Sequence, residues 1–229
     1  MCIRDSHYTA DISKQDAAQQ AEMLGVHYEV MPIEPMVDAF MATLSESFAG
    51  TERDTTEENL QSRCRGVLLM ALSNKKGLMV LTTGNKSEMA VGYATLYGDM
   101  VGGYNALKDV YKTWVYRLAL WRNTQSPAIP ERVIERPPSA ELAPGQQDSD
   151  SLPDYDVLDA ILMSYIEGDM SAEAIIAAGF DSEDVYKVVK LVDRCEYKRR
   201  QAPVGVRVTP RGFGRDRRYP IVNGWQPGD

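Results

Sequence analysis

The stretch that most constrains this chain runs over residues 57–93, where a long helical period, an unbroken apolar run and a second helix start follow one another directly. Leu60, Cys64, Val67, Leu68, Ala71 and Leu72 recur at spacings of three and four, which predicts a helix over residues 57–75 with Gly77 as its stop. Leu78-Met79-Val80-Leu81-Thr82-Thr83-Gly84 then reads as a strand buried on both faces of a parallel sheet, because such strands run apolar without alternation. Residues 85–93 open the next helix. Helix, buried strand and helix in that order predict an open α/β sheet. Ligands of such sheets bind beyond the carboxyl ends of the strands, so residues 82–88 fall where a site belongs. Their Thr, Gly, Asn and Ser side chains allow close backbone approach, and a helix amino terminus favours anions. An α/β turn that binds nothing has the same composition.

The flanks are read in the same way. Ser13 followed by Asp16 resembles a capping arrangement for a helix over residues 15–24 that ends at Gly25. Residues 27–33 form a short β-like run, 34–48 a mixed helical stretch and 49–55 a polar loop. Downstream, 97–104 is a glycine-rich loop and 109–122 is helical. Residues 126–153 are dense in proline and polar side chains and read as a long surface loop, a kind that is usually functional or disordered. Residues 154–167, 171–178 and 181–200 form a small helical unit, with Ser171 as one of its caps. The expected division is a domain over 1–125, an active-site loop over 126–153 and a helical carboxyl-terminal unit with a basic tail over 154–229.

Composition narrows the class. Hydrophobic residues at 44% and charged residues at 25% suit a soluble globular protein. No apolar run approaches the roughly 20 residues that span a bilayer, and Met1 to Ser6 has no apolar core of the secretory kind. The expected compartment is the cytoplasm, with no membrane partner. Cys2, Cys64 and Cys195 are odd in number and far apart, and His7 and His27 stand alone, so neither a disulfide framework nor a zinc site is expected. Cys64 and Cys195 fall in predicted helices and read as small buried hydrophobes. Residues 194–218 hold nine basic residues against two acids, +7 in a chain of net charge −8. Such a tail suits an anionic ligand, an acidic partner or nucleic acid, or else folds against its own acidic body. Nucleic acid is not expected, since Phe213, Tyr219 and Trp225 are the only stacking platform there.

Seven ordered motifs carry a resemblance. They are Gln61-Ser62-Arg63-Cys64-Arg65-Gly66, Leu81-Thr82-Thr83-Gly84-Asn85-Lys86-Ser87-Glu88, Gly92-Tyr93-Ala94-Thr95-Leu96-Tyr97-Gly98-Asp99 and Lys108-Asp109-Val110-Tyr111-Lys112-Thr113. Arg136-Pro137-Pro138-Ser139-Ala140-Glu141-Leu142, Glu196-Tyr197-Lys198-Arg199-Arg200-Gln201-Ala202-Pro203 and Phe213-Gly214-Arg215-Asp216-Arg217-Arg218-Tyr219-Pro220 complete them. Together they resemble the synthetase domain of NAD synthetases, and the last blocks are similar to the glutamine-dependent branch. The resemblance implies a Rossmann-like open parallel sheet of the adenine nucleotide alpha hydrolase type, incomplete at its start, with a helical carboxyl-terminal subdomain.

It also implies an ATP-dependent ligase. The nicotinate carboxylate of deamido-NAD attacks the α-phosphorus of ATP, giving an adenylate and pyrophosphate, and ammonia derived from glutamine then displaces AMP to leave NAD. A carboxylate is a poor acyl electrophile until its oxygen carries a good leaving group, and positioning with Mg²⁺ and basic groups supplies most of the catalysis. By the resemblance, Thr83, Lys112 and Ser139 face ATP. Arg63, Glu88, Tyr93, Asp99, Tyr197 and Lys198 face deamido-NAD, and Glu88 also meets the metal. Read without the motif, Arg63 is a solvated helix arginine and Glu88 a complement to a helix dipole. Lys198, Arg199 and Arg200 would then be a wet helix face, and the motif alters that for Lys198 but not for Arg199 or Arg200.

The chain also departs from the family. Tyr111 stands where a proline is common before the lysine, and Leu96 replaces a lysine that some stand-alone members carry before Tyr-Gly-Asp. The family's Ser-Gly-Gly-x-Asp-Ser loop, whose amides cradle pyrophosphate, is not found in the chain. The expectation is a carboxyl-terminal portion without that loop or the amidase domain, a ligase in its full-length form but inactive as this chain alone, with Met1 to Ser6 resembling nothing in the family. A sheet edge left open in this way favours aggregation, so the isolated chain is expected to be poorly soluble or marginally stable. The full-length enzyme is expected to be a homo-oligomer. The alternative is a catalytically silent module that binds deamido-NAD or pairs with a full-length synthetase.

Overall fold

Asp54 and Gly77 bracket the longest helix among the described residues, and each acts on the backbone. In the computed structural model, which describes residues 2–5, 9–143 and 145–225, the Asp54 carboxylate accepts the Thr56 amide at 2.7 Å. Glu57 returns the contact by accepting the Asp54 amide at 2.9 Å. Two amides that a helix start leaves without partners are thereby satisfied. Gly77 ends the helix at φ 64°, a left-handed conformation that a side chain resists.

In chain order the elements are β1 (Cys2–Asp5), α1 (Asp11–Leu24), β2 (Val30–Pro32), α2 (Glu34–Leu44), α3 (Thr55–Lys76), β3 (Leu81–Thr82) and α4 (Lys86–Val91). They continue with β4 (Tyr104–Asn105), α5 (Lys112–Gln125), α6 (Glu131–Glu135), α7 (Tyr155–Leu162), α8 (Ala172–Ala177), α9 (Ser182–Arg194) and α10 (Glu196–Arg199). The chain divides into two compact units.

The first unit comprises Met1–Leu78, Tyr97–Asp99 and Arg117–Asp150. Here β1 and β2 pair in parallel, with Cys2 opposite Val30 and Asp5 opposite Pro32. Ile33 and Cys64 are buried between α2 and α3 and are packed by Met31, Met36, Val37, Leu68, Leu69 and Leu72. The expected cap at Ser13 and Asp16 is not formed: α1 starts at Asp11, with no side-chain cap from Ala10. Ser13 instead donates to Glu141 and accepts from Arg136, each at 2.6 Å, and buried Asp16 takes both the Nε and an Nη of Arg132. A charged partner across the unit outcompetes the local bond to a neighbouring amide. The stretch 126–153 is also not wholly loop, since it holds α6 and a 3₁₀ turn at Asp148–Asp150.

The second unit comprises Met79–Leu96, Met100–Tyr116 and Ser151–Asp229. β3 and β4 pair in parallel, Leu81 opposite Tyr104 and Thr82 opposite Asn105. Gly102 admits this pairing at φ 154°, where a Cβ would meet the Val80 carbonyl oxygen at 2.9 Å. The expectation of a strand buried on both faces is corrected. Thr82 is buried, but Leu81 is 61% and Met79 68% exposed. Successive side chains point to opposite faces, and among the described residues only the Thr82 face is covered.

Helices make up the rest of this core. Val185, Val188, Val189 and Val192 line one face of α9 and meet Leu158, Ile161 and Leu162 of α7, Ile166 of the π-helical turn at Met163–Glu167, and Ile175 of α8. Ala90 and Val91 of α4 pack on the same cluster, as does Tyr111. Burial of this kind stabilises by about 1.5–3 kcal/mol per large apolar side chain, and it fixes α4 against the helical layer. Ser171 caps α8 by accepting the Ala174 amide, as expected. The predicted helix over 181–200 is instead α9 and α10, and buried Cys195 lies at the break between them.

The basic tail folds against carboxylates of its own unit. Arg211 and Arg217 both hold Asp169, at 2.9 and 2.6 Å, and Arg207 holds Asp216 at 2.8 Å. Arg199 and Arg200 both hold Glu196, at 3.0 and 2.6 Å. Among the described residues no helix is long and apolar enough to cross a membrane.

Candidate functional site

In the second unit the start of α4 is built by a reciprocal cap. Asn85 accepts the Glu88 amide at 3.0 Å, and Glu88 Oε2 accepts the Asn85 amide at 3.2 Å. The other oxygen, Oε1, takes the Lys112 ammonium at 3.1 Å, with the two side chains 18% and 17% exposed. That ammonium also stands 5.1 Å from the centre of the Tyr155 ring. Two residues expected at the site from separate motifs are thus in direct contact. Thr83 is exposed just beyond β3, two positions before Asn85.

The two residues before Glu88 carry a polar network. Lys86 has no exposed surface and forms ion pairs with Asp109 and Glu167, both at 2.9 Å. It also donates to the Thr209 hydroxyl and, at 2.8 Å, to the Arg211 carbonyl, and it lies 4.9 Å from the Tyr111 ring centre. Burial pushes the Asp109 carboxyl up, but bonds from Lys86, from the Thr209 amide and hydroxyl and from the Val208 amide outweigh it, and the net shift is downward. Beside Lys86, Ser87 donates to Asp159 and accepts the Lys112 amide at 2.9 Å. Asp159 in turn accepts the amide and hydroxyl of Thr113 at 2.9 and 2.8 Å. Burial dominates at Asp159 and leaves its carboxyl above the usual range.

None of Lys86, Asp109, Asp159 and Glu167 was singled out in the sequence as a site residue. The available signal was that Lys86 shares a helical face with apolar Met89 and Ala90, three and four positions on.

At the other end of α4, Lys198 donates to the carbonyls of Gly92 and Ala94, each at 2.7 Å. It thereby fastens the turn that carries Tyr93. Gly92 stands at φ 71°, and a Cβ there would lie 2.2 Å from Cys195 Sγ. Tyr197 is 42% exposed on α10. The expectation of a wet face is corrected at Arg199, which is buried and bonds the carbonyls of Ala90 and Val192 at 2.8 and 2.6 Å.

In the first unit Arg63 is half-buried on α3. Its neighbour Ser62 accepts the Asp99 amide at 3.0 Å and donates to Asp99 Oδ1 at 3.5 Å, so Asp99 is held one position from Arg63 along the helix. The Ser139 hydroxyl accepts the Glu141 amide at 3.1 Å and donates to the Gln146 carbonyl, which folds its own loop.

Among the described residues no three His, Cys, Asp or Glu side chains gather as a metal cage. Magnesium needs none, because it commonly takes one or two carboxylates and completes its shell with water and phosphate oxygens. Glu88 fits as a single such ligand once Lys112 gives up Oε1.

The fold and these motifs define a class. A family model described as NAD synthase matches residues 2–202, and the chain belongs to that family. It is 62% identical over 224 residues to the glutamine-dependent NAD(+) synthetase of Acinetobacter baylyi, covering 97% of this chain and 41% of that protein. The corresponding protein of Xanthomonas campestris pv. campestris is 57% identical over 222 residues, 96% of this chain and 40% of that protein. The chain therefore spans about two fifths of the length of these relatives.

Among solved structures, the glutamine-dependent NAD+ synthetase from Acinetobacter baumannii in complex with ADP is 55% identical, with a TM-score of 0.58 over 99% of this chain and 41% of that one. A glutamine-dependent NAD(+) synthetase from Cytophaga hutchinsonii shares the fold, with a TM-score of 0.77 at 23% identity over 96% of this chain and 38% of that one. These neighbours bear out the Rossmann-like α/β class, although the described sheets have two strands each.

Proposed function

We infer that the chain is the synthetase portion of a glutamine-dependent NAD synthetase whose full-length form amidates deamido-NAD to NAD through an adenylated intermediate, and that the chain alone does not turn over. The observation that carries this reading is the Glu88–Lys112 pair at 3.1 Å, in a chain so similar to enzymes of that name. The pair is a preset exchange of partners. An arriving phosphate takes the Lys112 ammonium, which neutralises negative charge as the nicotinate carboxylate attacks the α-phosphorus. Glu88 is released for the substrate or for Mg²⁺, whose part when bound is to neutralise the phosphate oxygens.

Thr83 and Ser139 are proposed hydroxyl contacts to ATP. Arg63 suits a dinucleotide phosphate through paired N–H donors. Tyr93, Asp99, Tyr197 and Lys198 are proposed to contact deamido-NAD, Lys198 also by holding the turn that carries Tyr93. The ammonia is proposed to come from glutamine, and the working form to be a homo-oligomer. The division at 125 and 153 is likewise a proposal.

The alternative is a catalytically silent module that binds deamido-NAD or pairs with a full-length synthetase. Calorimetric titration of the chain with deamido-NAD tests the binding that the proposed function needs. Saturable binding that weakens at least about tenfold in Tyr197→Ala is expected, the size of one lost aromatic contact. No binding to the wild-type chain would count against the proposed function and leave only pairing with a full-length synthetase.

A further inference from the structure

Asp159 lies on α7 with 1% of its surface exposed, and the partners of its two oxygens flank Glu88 and Lys112 in the chain. Oδ1 accepts from Ser87, the residue before Glu88. Oδ2 accepts the amide and hydroxyl of Thr113, the residue after Lys112, at 2.9 and 2.8 Å. Ser87 closes the ring by accepting the Lys112 amide at 2.9 Å. The first amides of a helix have no partners within it. The first two of α5 are taken by the Ser87 hydroxyl, at Lys112, and by a carboxylate 46 residues further along the chain, at Thr113. A buried carboxylate is costly unless fully bonded. Among the described residues its bonds go to the two helix starts that present the ion pair.

We propose that Asp159 is a positioning residue: through Ser87 and the start of α5 it holds the Lys112 ammonium against Glu88. This deepens the proposed function and rests on it for its purpose, but the geometric claim stands without it. α7 is then more than a wall of the apolar core, because its buried carboxylate sets where the two charged side chains stand. With Asp159→Asn one acceptor becomes an N–H donor. Either Thr113 or Ser87 loses its acceptor, the start of α5 loosens, and Lys112 spends more time away from Glu88.

Competitive trace acetylation of the whole chain, read lysine by lysine by mass spectrometry, measures this without any ligand. Fully buried Lys86 reports general opening of the unit, and exposed Lys187 reports the reagent. In Asp159→Asn, Lys112 is expected to react about fivefold faster while Lys86 and Lys187 keep their wild-type rates, the signature of local rather than global opening. An unchanged Lys112, or a rise of Lys86 in step with it, would overturn the proposal, the second outcome reducing Asp159 to a support of the fold. If Asp159→Asn does not fold, Thr113→Val decides, since it removes only the hydroxyl bond. A selective rise at Lys112 supports positioning, and none overturns it. Added ATP separates this claim from the functional reading. Protection of wild-type Lys112 supports that reading, and its lack counts against the reading while leaving the ligand-free comparison to judge Asp159.

Discussion

The Lys86 ammonium stands 2.9 Å from Asp109 and 2.9 Å from Glu167, with no surface open to solvent. A buried charge without its partners costs several kcal/mol, so this contact is a strong constraint on the second unit. It ties the start of α4, two positions before Glu88, to the segment holding Thr209 and Arg211. Lys86→Met removes the cation that buried Asp109 and part-buried Glu167 share. The expected loss is about 3–5 kcal/mol, read as a fall in the urea midpoint. A loss below about 1 kcal/mol would mean that solvent reaches the cluster.

Acid should find the same cluster. The Asp109 carboxyl is held below its ordinary value once its bonds are set against burial. A carboxylate with a depressed folded value adds stability that is complete above its unfolded pKa, near 4, and is lost as pH falls through the folded value. Stability should therefore drop as the pH is lowered from about 4, and Asp109→Asn should be weaker at neutral pH with a flatter acid limb. Asp159, shifted upward by burial, has the opposite sign and does not add to that drop. An unchanged acid limb in Asp109→Asn would contradict this assignment.

Gly92 is predicted to resist any side chain. Its φ of 71° disfavours one, and a Cβ would press on Cys195 Sγ at 2.2 Å and Cβ at 2.9 Å. Gly92→Ala is expected to cost about 1–3 kcal/mol in thermal unfolding, the usual penalty of overpacking. Adding Cys195→Ala should recover part of it, because the nearer atom is gone while the backbone strain stays. Full recovery, or none, would contradict the stated contact.

What was legible in the sequence was local. The stops at Gly25 and Gly77, the cap at Ser171 and the long period of α3 depend on residues a few positions apart, and each is present. The apolar run before Gly84 misled because a run shows only that a strand is suited to burial on both faces. Whether both faces are covered depends on neighbours that the run does not contain. Lys86 escaped notice for a related reason. Its partners lie up to 125 residues away, and a lysine in a charged motif looks like a solvated face. Likeness to a family marked Glu88 and Lys112 one by one but not their contact, since nothing in spacing alone joins residues 24 positions apart.

The most direct test of the account is a chimera in which this chain replaces the matching 41% of the Acinetobacter baylyi synthetase, assayed for NAD formation from deamido-NAD, ATP, Mg²⁺ and ammonia. The account predicts turnover within about tenfold of the parent and a fall of at least about a hundredfold on Lys112→Ala, the scale of one lost electrostatic contact to the transition state. A folded chimera that binds deamido-NAD yet forms no NAD, or one that is indifferent to Lys112→Ala, would contradict it.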